Sequence, residues 1–274
     1  MKILITGASG FIGRHTAQAA AAAGHQVIGL TRRLEGLPDI DGVTWQQGSI
    51  EDTTILLKTK LDSLIHLAAH GVDPANATWE DCFKVNVTDS INFWKAAYTA
   101  GCRRYVLCGS CFEYGLSGEH YDFIPVTAPL LPTGPYHASK AAASVAAHAF
   151  GISYNVRVYI PRPFHVYGEG EAAHRFWPSL RAAATAGVDF EMTSGEQFRD
   201  FTPVALVANK LIESLTRNDL LPKKPLIENI GTGQPKNLAE FAREEWQKFK
   251  ATGKLHIGRI PYRSDEIMRY VPRL

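Results

Sequence analysis

Short, nearly unbroken apolar runs recur through the first part of the chain, separated by longer segments whose apolar residues fall at helical spacing. Lys2–Thr6 reads as a strand. Residues 14–23 read as an alanine-rich helix that closes at Gly24, a residue suited to the left-handed turn ending a helix. Residues 26–30 and 43–46 form a second and a third strand, the latter running into Gly48-Ser49-Ile50. Residues 64–68 form a fourth strand, 79–100 a long helix ending at Gly101, and 104–107 a fifth strand that leads into Cys108-Gly109-Ser110. A helix over 136–150 and a sixth strand over 155–159 complete the pattern.

This alternation is that of βαβ units, which build a parallel sheet. Several strands are almost wholly apolar, as both faces of such a sheet are covered by helices. The predicted fold is therefore α/β, a Rossmann-like, doubly wound parallel sheet with a smaller C-terminal α/β substrate lobe. After Pro161-Arg162-Pro163 glycine, proline and charged residues become more frequent. Residues 203–216 and 237–250 read as helices and Leu226–Ile230 as a strand. The expected division is a nucleotide-binding domain over 1–165 and a smaller lobe over 166–274, part of which returns to the sheet.

The totals change this picture little. The chain has 274 residues, 45% hydrophobic and 20% charged, with a net charge of +2. That gives no reason to expect nucleic acid or an anionic membrane as partner. No apolar stretch is long enough to span a bilayer. The first residues run straight into a strand and a glycine-rich loop, leaving no room for a signal peptide, so a cytoplasmic location is expected. Four cysteines occur, and Cys108 and Cys111 are spaced as CxxC. With no second CxxC or histidine pair nearby, they read as reduced, structural thiols, and no metal site is expected.

The first chemistry lies in Gly7-Ala8-Ser9-Gly10-Phe11-Ile12-Gly13, between the first strand and the first helix. Gly7 permits the tight turn, Gly10 lets the backbone approach a pyrophosphate, and Gly13 lets the helix pack on the sheet. The helix N-terminus offers free N–H groups and partial positive charge to the anion. The second strand ends in Leu30-Thr31-Arg32-Arg33, with arginines where an acid would bind the ribose of NAD. NADP is therefore favoured over NAD, with Arg32 as the main contact, Arg33 beside it and Arg14 as a second candidate.

Tyr136 and Lys140 are four residues apart and share one helix face. A phenol is a poor base at neutral pH, and a nearby ammonium brings it toward the working range. Ser110, at the end of the fifth strand, is placed to hold a substrate oxygen, because ligands sit at the carboxyl ends of such strands.

Taken with His66-Leu67-Ala68-Ala69, Val85-Asn86-Val87, Gly109-Ser110-Cys111-Phe112-Glu113-Tyr114-Gly115, Arg162-Pro163-Phe164-His165-Val166-Tyr167-Gly168 and Arg199-Asp200-Phe201, these motifs resemble the extended short-chain dehydrogenases/reductases acting on nucleotide sugars. The resemblance implies that Tyr136 is the proton donor or acceptor, that Lys140 lowers its pKa and binds the nicotinamide ribose, and that Ser110 holds the reacting oxygen. It places Ser9, Phe11 and Ile12 on the cofactor with the three glycines, and Ser49 and Ile50 beside the adenine. Leu67, Ala68 and Ala69 would line the cofactor path, Asn86 would bridge backbone and active site, and Pro163, Phe164 and Val166 would lie beside the nicotinamide. His70, Cys111, Phe112, Glu113 and His165 would meet the sugar; Arg199 would face the diphosphate, with Arg263 as a further candidate. Glu113 has two readings, a sugar contact or the cap of a loop. The helices over 79–100 and 136–150 are apolar on more than one face, and the resemblance implies a homodimer through a four-helix bundle.

Members that dehydrate the sugar carry an Asp-Glu pair after the active hydroxyl residue; here Cys111 and Phe112 stand there. The arginines after the second strand suit an exchanging NADPH. Gly109-Ser110-Cys111-Phe112-Glu113-Tyr114-Gly115, Gly195-Glu196-Gln197-Phe198-Arg199-Asp200-Phe201 and Ile260-Pro261-Tyr262-Arg263 resemble the 4-ketoreductases of this group. That resemblance implies reduction of a nucleotide-linked 4-keto-6-deoxy sugar, with a 4-epimerase retaining NAD(P) or a non-catalytic NADP(H)-binding sensor as alternatives.

Overall fold

The structure is a computed structural model that describes residues 1–56, 59–264 and 266–274. Its centre is a seven-stranded parallel sheet. In chain order the first strands are β1 (Lys2–Thr6), β2 (Gln26–Thr31), β3 (Val43–Gln47), β4 (Ser63–His66), β5 (Arg104–Leu107) and β6 (Arg157–Pro163). The short strands β7 (Val166–Tyr167), β8 (Phe190–Met192), β9 (Phe198–Arg199) and β10 (Thr202–Pro203) follow. Then come β11 (Leu226–Ile230), β12 (Lys236–Asn237), β13 (Leu255–Ile257) and β14 (Arg269–Tyr270). The sheet runs β11-β6-β5-β4-β1-β2-β3, so the chain doubles back between β1 and β4 and opens a crevice at their carboxyl ends.

Strand residues divide by parity. Leu4, Leu64, Tyr105, Val158 and Ile160 face one core with Phe93, Trp94 and Phe150. Their neighbours Ile3, Ile5, Ile65, Val106 and Tyr159 face a second core with Ala17, Ala20, Val207 and Leu211. Helices α1 (Phe11–Ala22) and α6 (Val204–Glu213) cover the second face, and α3 (Ser90–Thr99) and α4 (Pro135–Ser153) the first. This is the reason the strands carry continuous apolar runs. Helices α5 (Phe176–Ala186) and α7 (Leu238–Lys248) pack with β8 and β13 around Leu180, Met192, Ala242 and Trp246.

The long helix expected over 79–100 is interrupted. It comprises α2 (Trp79–Phe83), a π-helical turn over Lys84–Asp89, and α3. Among the described residues no helix is long and apolar enough to cross a membrane, and no group of His, Cys, Asp and Glu is arranged to hold a metal. The four cysteines are unbridged.

Candidate active site

The loop after β1 is built for close backbone approach. Gly7 has φ +66°, and a Cβ there would lie 2.8 Å from the Ala68 nitrogen. A Cβ on Gly13 would lie 2.1 Å from the Gly7 carbonyl oxygen. Helix α1 begins behind Gly10 with no side-chain cap and no acid in its first turn, leaving its first N–H groups for an anion. Glycines that leave a cradle and an uncapped helix start fit a dinucleotide pyrophosphate.

Around this loop, Thr31 Oγ1 lies 3.0 Å from Ser9 Oγ and 2.9 Å from the Arg33 carbonyl, fixing the exit of β2 against the loop. Arg32 and Arg33 are exposed, and among the described residues neither they nor Arg14 enters an ion pair. Arg14 Nη2 donates to the Ser9 carbonyl at 3.3 Å. The Thr6 hydroxyl oxygen accepts from the N–H groups of Leu67 and Ala68, both at 3.2 Å, which draws the segment after β4 beside the glycines. Ser49 Oγ accepts from Glu51 N–H in a local turn, and the Ile50 side chain sits in the first core.

Asn86 lies in the π-turn and is buried. Its Oδ1 accepts from His70 N–H at 2.7 Å, and its Nδ2 donates to the His70 carbonyl and to Ser139 Oγ, both at 2.9 Å. Its amide joins the His70 backbone, at the end of the 67–70 segment, to α4. His70 turns its Nε2 to the Asn76 carbonyl at 2.9 Å.

The same edge of the sheet carries the reactive candidates. Ser110 ends the stretch after β5 and caps a 3-10 turn over Cys111–Tyr114; its Oγ accepts from Phe112 N–H at 3.3 Å, leaving its own proton free to donate. Tyr136 and Lys140 follow Pro135 in the first turns of α4. Burial pushes the Tyr136 phenol well above its ordinary range, with Cys108 adding to the rise and the Ser110 hydroxyl partly offsetting it. The motif alone assigned Lys140 the task of lowering that pKa. In the structure Lys140 Nζ donates to the Cys108 carbonyl at 2.5 Å, and desolvation of the phenol dominates. That direction favours the protonated form of the phenol.

Two expected contacts, Phe164 and Cys111, are corrected, and of the two readings of Glu113 the structure shows the loop cap. Glu113, read as a sugar contact or a loop cap, is 0% exposed, and its carboxylate accepts from Ser110 N–H, Ser144 Oγ and Arg162 Nε at 2.7–2.8 Å. It caps the turn from inside and does not reach the cleft. Phe164, expected beside the nicotinamide, has no exposed surface and packs against Tyr114 and Tyr270. Cys111, expected on the sugar, is buried in the same cluster, its thiol pushed up to about 12 by desolvation. The 3-10 turn directs Cys111 and Glu113 inward. Pro163 and Val166 flank this segment at the end of β6 and in β7.

Phe112 does face outward, 40% exposed, and stacks on His137 with ring centroids 5.0 Å apart. His165 adopts a positive φ of 31° and has a buried Nδ1 without a partner among the described residues. Burial lowers its pKa to about 3, so the ring is neutral. Arg199 donates to Glu266 Oε1 at 3.0 Å and to the Ile267 carbonyl at 2.6 Å. A diphosphate would thus compete with Glu266 for this guanidinium. The adjacent Asp200 is engaged elsewhere, accepting from the N–H groups of Thr232 and Gly233. Arg263 is exposed and follows Tyr262, whose hydroxyl oxygen accepts from Glu196 N–H at 2.9 Å.

Sequence reasoning missed the buried chain Glu113–Arg162–Tyr114–Asn229. Arg162 Nη1 donates to Tyr114 Oη at 3.0 Å, and Tyr114 Oη donates to Asn229 Oδ1 at 2.6 Å. The signal was present in two charges, Glu113 and Arg162, lying in otherwise apolar stretches.

Known proteins are similar to this chain. The dTDP-D-glucose 4,6-dehydratase of Mus musculus is 27% identical over 274 aligned residues, covering 92% of this chain and 74% of the relative. The UDP-glucose 4-epimerase of Lacticaseibacillus casei is 26% identical, covering 85% and 76%. The structure of MoeE5 in complex with UDP-glucuronic acid and NAD superposes with a TM-score of 0.85 at 26% identity, covering all of this chain and 90% of the other. The model of the NAD dependent epimerase/dehydratase family matches residues 3–231. With its glycine loop, its Ser110, Tyr136 and Lys140 and its sheet order, the chain belongs to that family, an enzyme group of the extended short-chain dehydrogenase/reductase type.

Proposed function

We propose that the chain reduces the 4-keto group of a nucleotide-linked 4-keto-6-deoxy sugar, with NADPH as reductant. The observation that carries this reading is the pair of residues after Ser110. A buried thiol with a raised pKa and an aromatic ring cannot perform the acid–base work of removing water from a sugar.

When bound, the nicotinamide supplies the hydride. Tyr136, protonated, gives its proton to the carbonyl oxygen as charge develops there. Ser110 donates a hydrogen bond to the same oxygen and keeps its proton, and the Lys140 ammonium contributes positive field nearby. The NADP preference is supported by Arg32 and Arg33, exposed cations at the end of β2 without ion-pair partners among the described residues. A homodimer through α2, α3 and α4 is supported by exposed apolar side chains on α2 and α4. Trp79 and Phe83 stack with each other, and Val145 is 63% exposed.

A second reading is favoured by the UDP-glucose 4-epimerases among the relatives: a 4-epimerase that retains its nicotinamide. Mixing the protein with NADPH and a panel of 4-keto-6-deoxy sugar nucleotides, followed at the reduced-nicotinamide band, separates the two. Stoichiometric NADPH consumption, lost in Tyr136→Phe with NADPH binding intact, is the expected result. Interconversion of UDP-hexoses without net consumption would replace the reductase reading with the epimerase one.

A further inference from the structure

We propose that Glu113 is a positioning residue whose carboxylate sets the spacing between Ser110 and the helix carrying Tyr136 and Lys140. The inference rests on the proposed roles of those three residues. Glu113 touches three elements at once. Oε1 accepts from the backbone N–H of Ser110 at 2.7 Å and from Ser144 Oγ at 2.8 Å, while Oε2 accepts from Arg162 Nε at 2.8 Å. Tyr136, Lys140 and Ser144 recur every four residues and so share one face of α4. The carboxylate therefore links the serine turn to the tyrosine helix through one oxygen atom, and strand β6 holds the other.

A bare buried ion pair would need only the Arg162 contact. The arrangement here is more specific. A Cβ on Gly109 would fall 2.5 Å from Glu113 Oε1, 3.1 Å from Ser144 Oγ and 3.2 Å from Arg162 Cγ, so the residue preceding Ser110 must be glycine for the carboxylate to occupy its place. Arg162 is itself braced, donating to Tyr114 Oη at 3.0 Å and the Val126 carbonyl at 3.2 Å, with its guanidinium 4.8 Å from the Tyr114 ring centroid. Burial pushes the Glu113 carboxyl up, but Arg162 and Lys140 pull it back, and all its partners are donors, which suits an acceptor-only carboxylate.

Two variants of the full chain test this. Ser144→Ala removes only the tie to the helix and leaves the ion pair intact. Glu113→Gln removes the charge. Each is expected to lower kcat by about tenfold to a hundredfold, as small misplacement of reacting groups does, with substrate KM and NADPH affinity within about twofold of wild type. Wild-type kcat in Ser144→Ala, or a parallel loss of NADPH affinity, overturns the proposal. If the wild-type protein reduces no 4-keto sugar nucleotide, the reductase reading fails by itself, and crystal structures of the variants decide the positioning role. Ser110 and α4 at their wild-type separation in Ser144→Ala overturn it, and a widened gap upholds it.

Discussion

Replacing Gly13 by alanine should separate the cofactor site from the rest of the fold. The added Cβ would lie 2.1 Å from the Gly7 carbonyl oxygen and 2.8 Å from Ala8 Cα. The first distance is about 1.2 Å short of an ordinary C···O separation of ~3.3 Å. Both obstacles are backbone, so no side chain can swing away. Helix α1 must withdraw from the loop, at a packing cost of about 1–3 kcal/mol. The withdrawal also moves the free N–H groups at the start of α1 away from the pyrophosphate. Losing two charge-assisted hydrogen bonds, each about 1.5–3 kcal/mol, weakens binding by roughly a hundredfold to ten-thousandfold. Gly24, just past the other end of the same helix, has φ +79°, and a Cβ added there would meet nothing within 4 Å, so Gly24→Ala introduces only backbone strain. It should cost about 1 kcal/mol, a melting shift of roughly 2–4 °C, with unchanged NADPH affinity. Fluorescence titration with NADPH and thermal melts of both variants supply the comparison. An NADPH dissociation constant in Gly13→Ala within about threefold of wild type would refute the reasoning.

Other outcomes follow from the same geometry. Arg32→Asp should weaken NADPH by at least about tenfold and leave NADH binding unchanged or improved; equal NADPH affinity in both proteins would remove Arg32 from the cofactor. His66 is held between Thr6 and Ser90 at 3.0 and 2.9 Å, and burial lowers its pKa to about 3. The unfolded chain therefore binds a proton that the fold excludes, and stability falls as pH drops from about 6.5 toward about 3, by about 1.4 kcal/mol per unit from this residue. Urea unfolding at several pH values should show a shallower dependence in His66→Gln, and parallel slopes would contradict the assignment. If the proposed dimer forms through α4, wild type should sediment as a dimer and Val145→Asp, on the exposed face of that helix, as a monomer; an unchanged species would move the interface elsewhere.

The sheet was legible because its strands are covered on both sides. Ile3-Leu4-Ile5 needs every residue apolar when Leu4 packs under α3 and α4 while Ile3 and Ile5 pack under α1 and α6. The glycine loop was legible because backbone crowding admits one residue type. Side-chain direction within the short turn after Ser110 was not. Cys111, Phe112 and Glu113 are consecutive, yet only Phe112 faces outward, because the 3-10 turn rotates each neighbour by about a third of a circle. Spacing along the chain carries no record of that rotation. Nor does spacing record how strongly burial pushes the Tyr136 phenol up, since desolvation depends on the packing of all the surrounding elements.

The π-turn over Lys84–Asp89 has a consequence for rebuilding this helix. One extra residue in a helical turn advances everything beyond it by about 100° of azimuth. Trp79 and Phe83 are thereby out of phase with Phe93, Trp94 and Ala97, and one rod shows differently oriented faces before and after the turn. A heptad drawn straight through residues 79–99 would assign the wrong residues to each face. Such a joint constrains the length of any redesign more tightly than the identity of its side chains: removing one residue would regularise the rod and swing its first segment roughly a quarter turn around the axis.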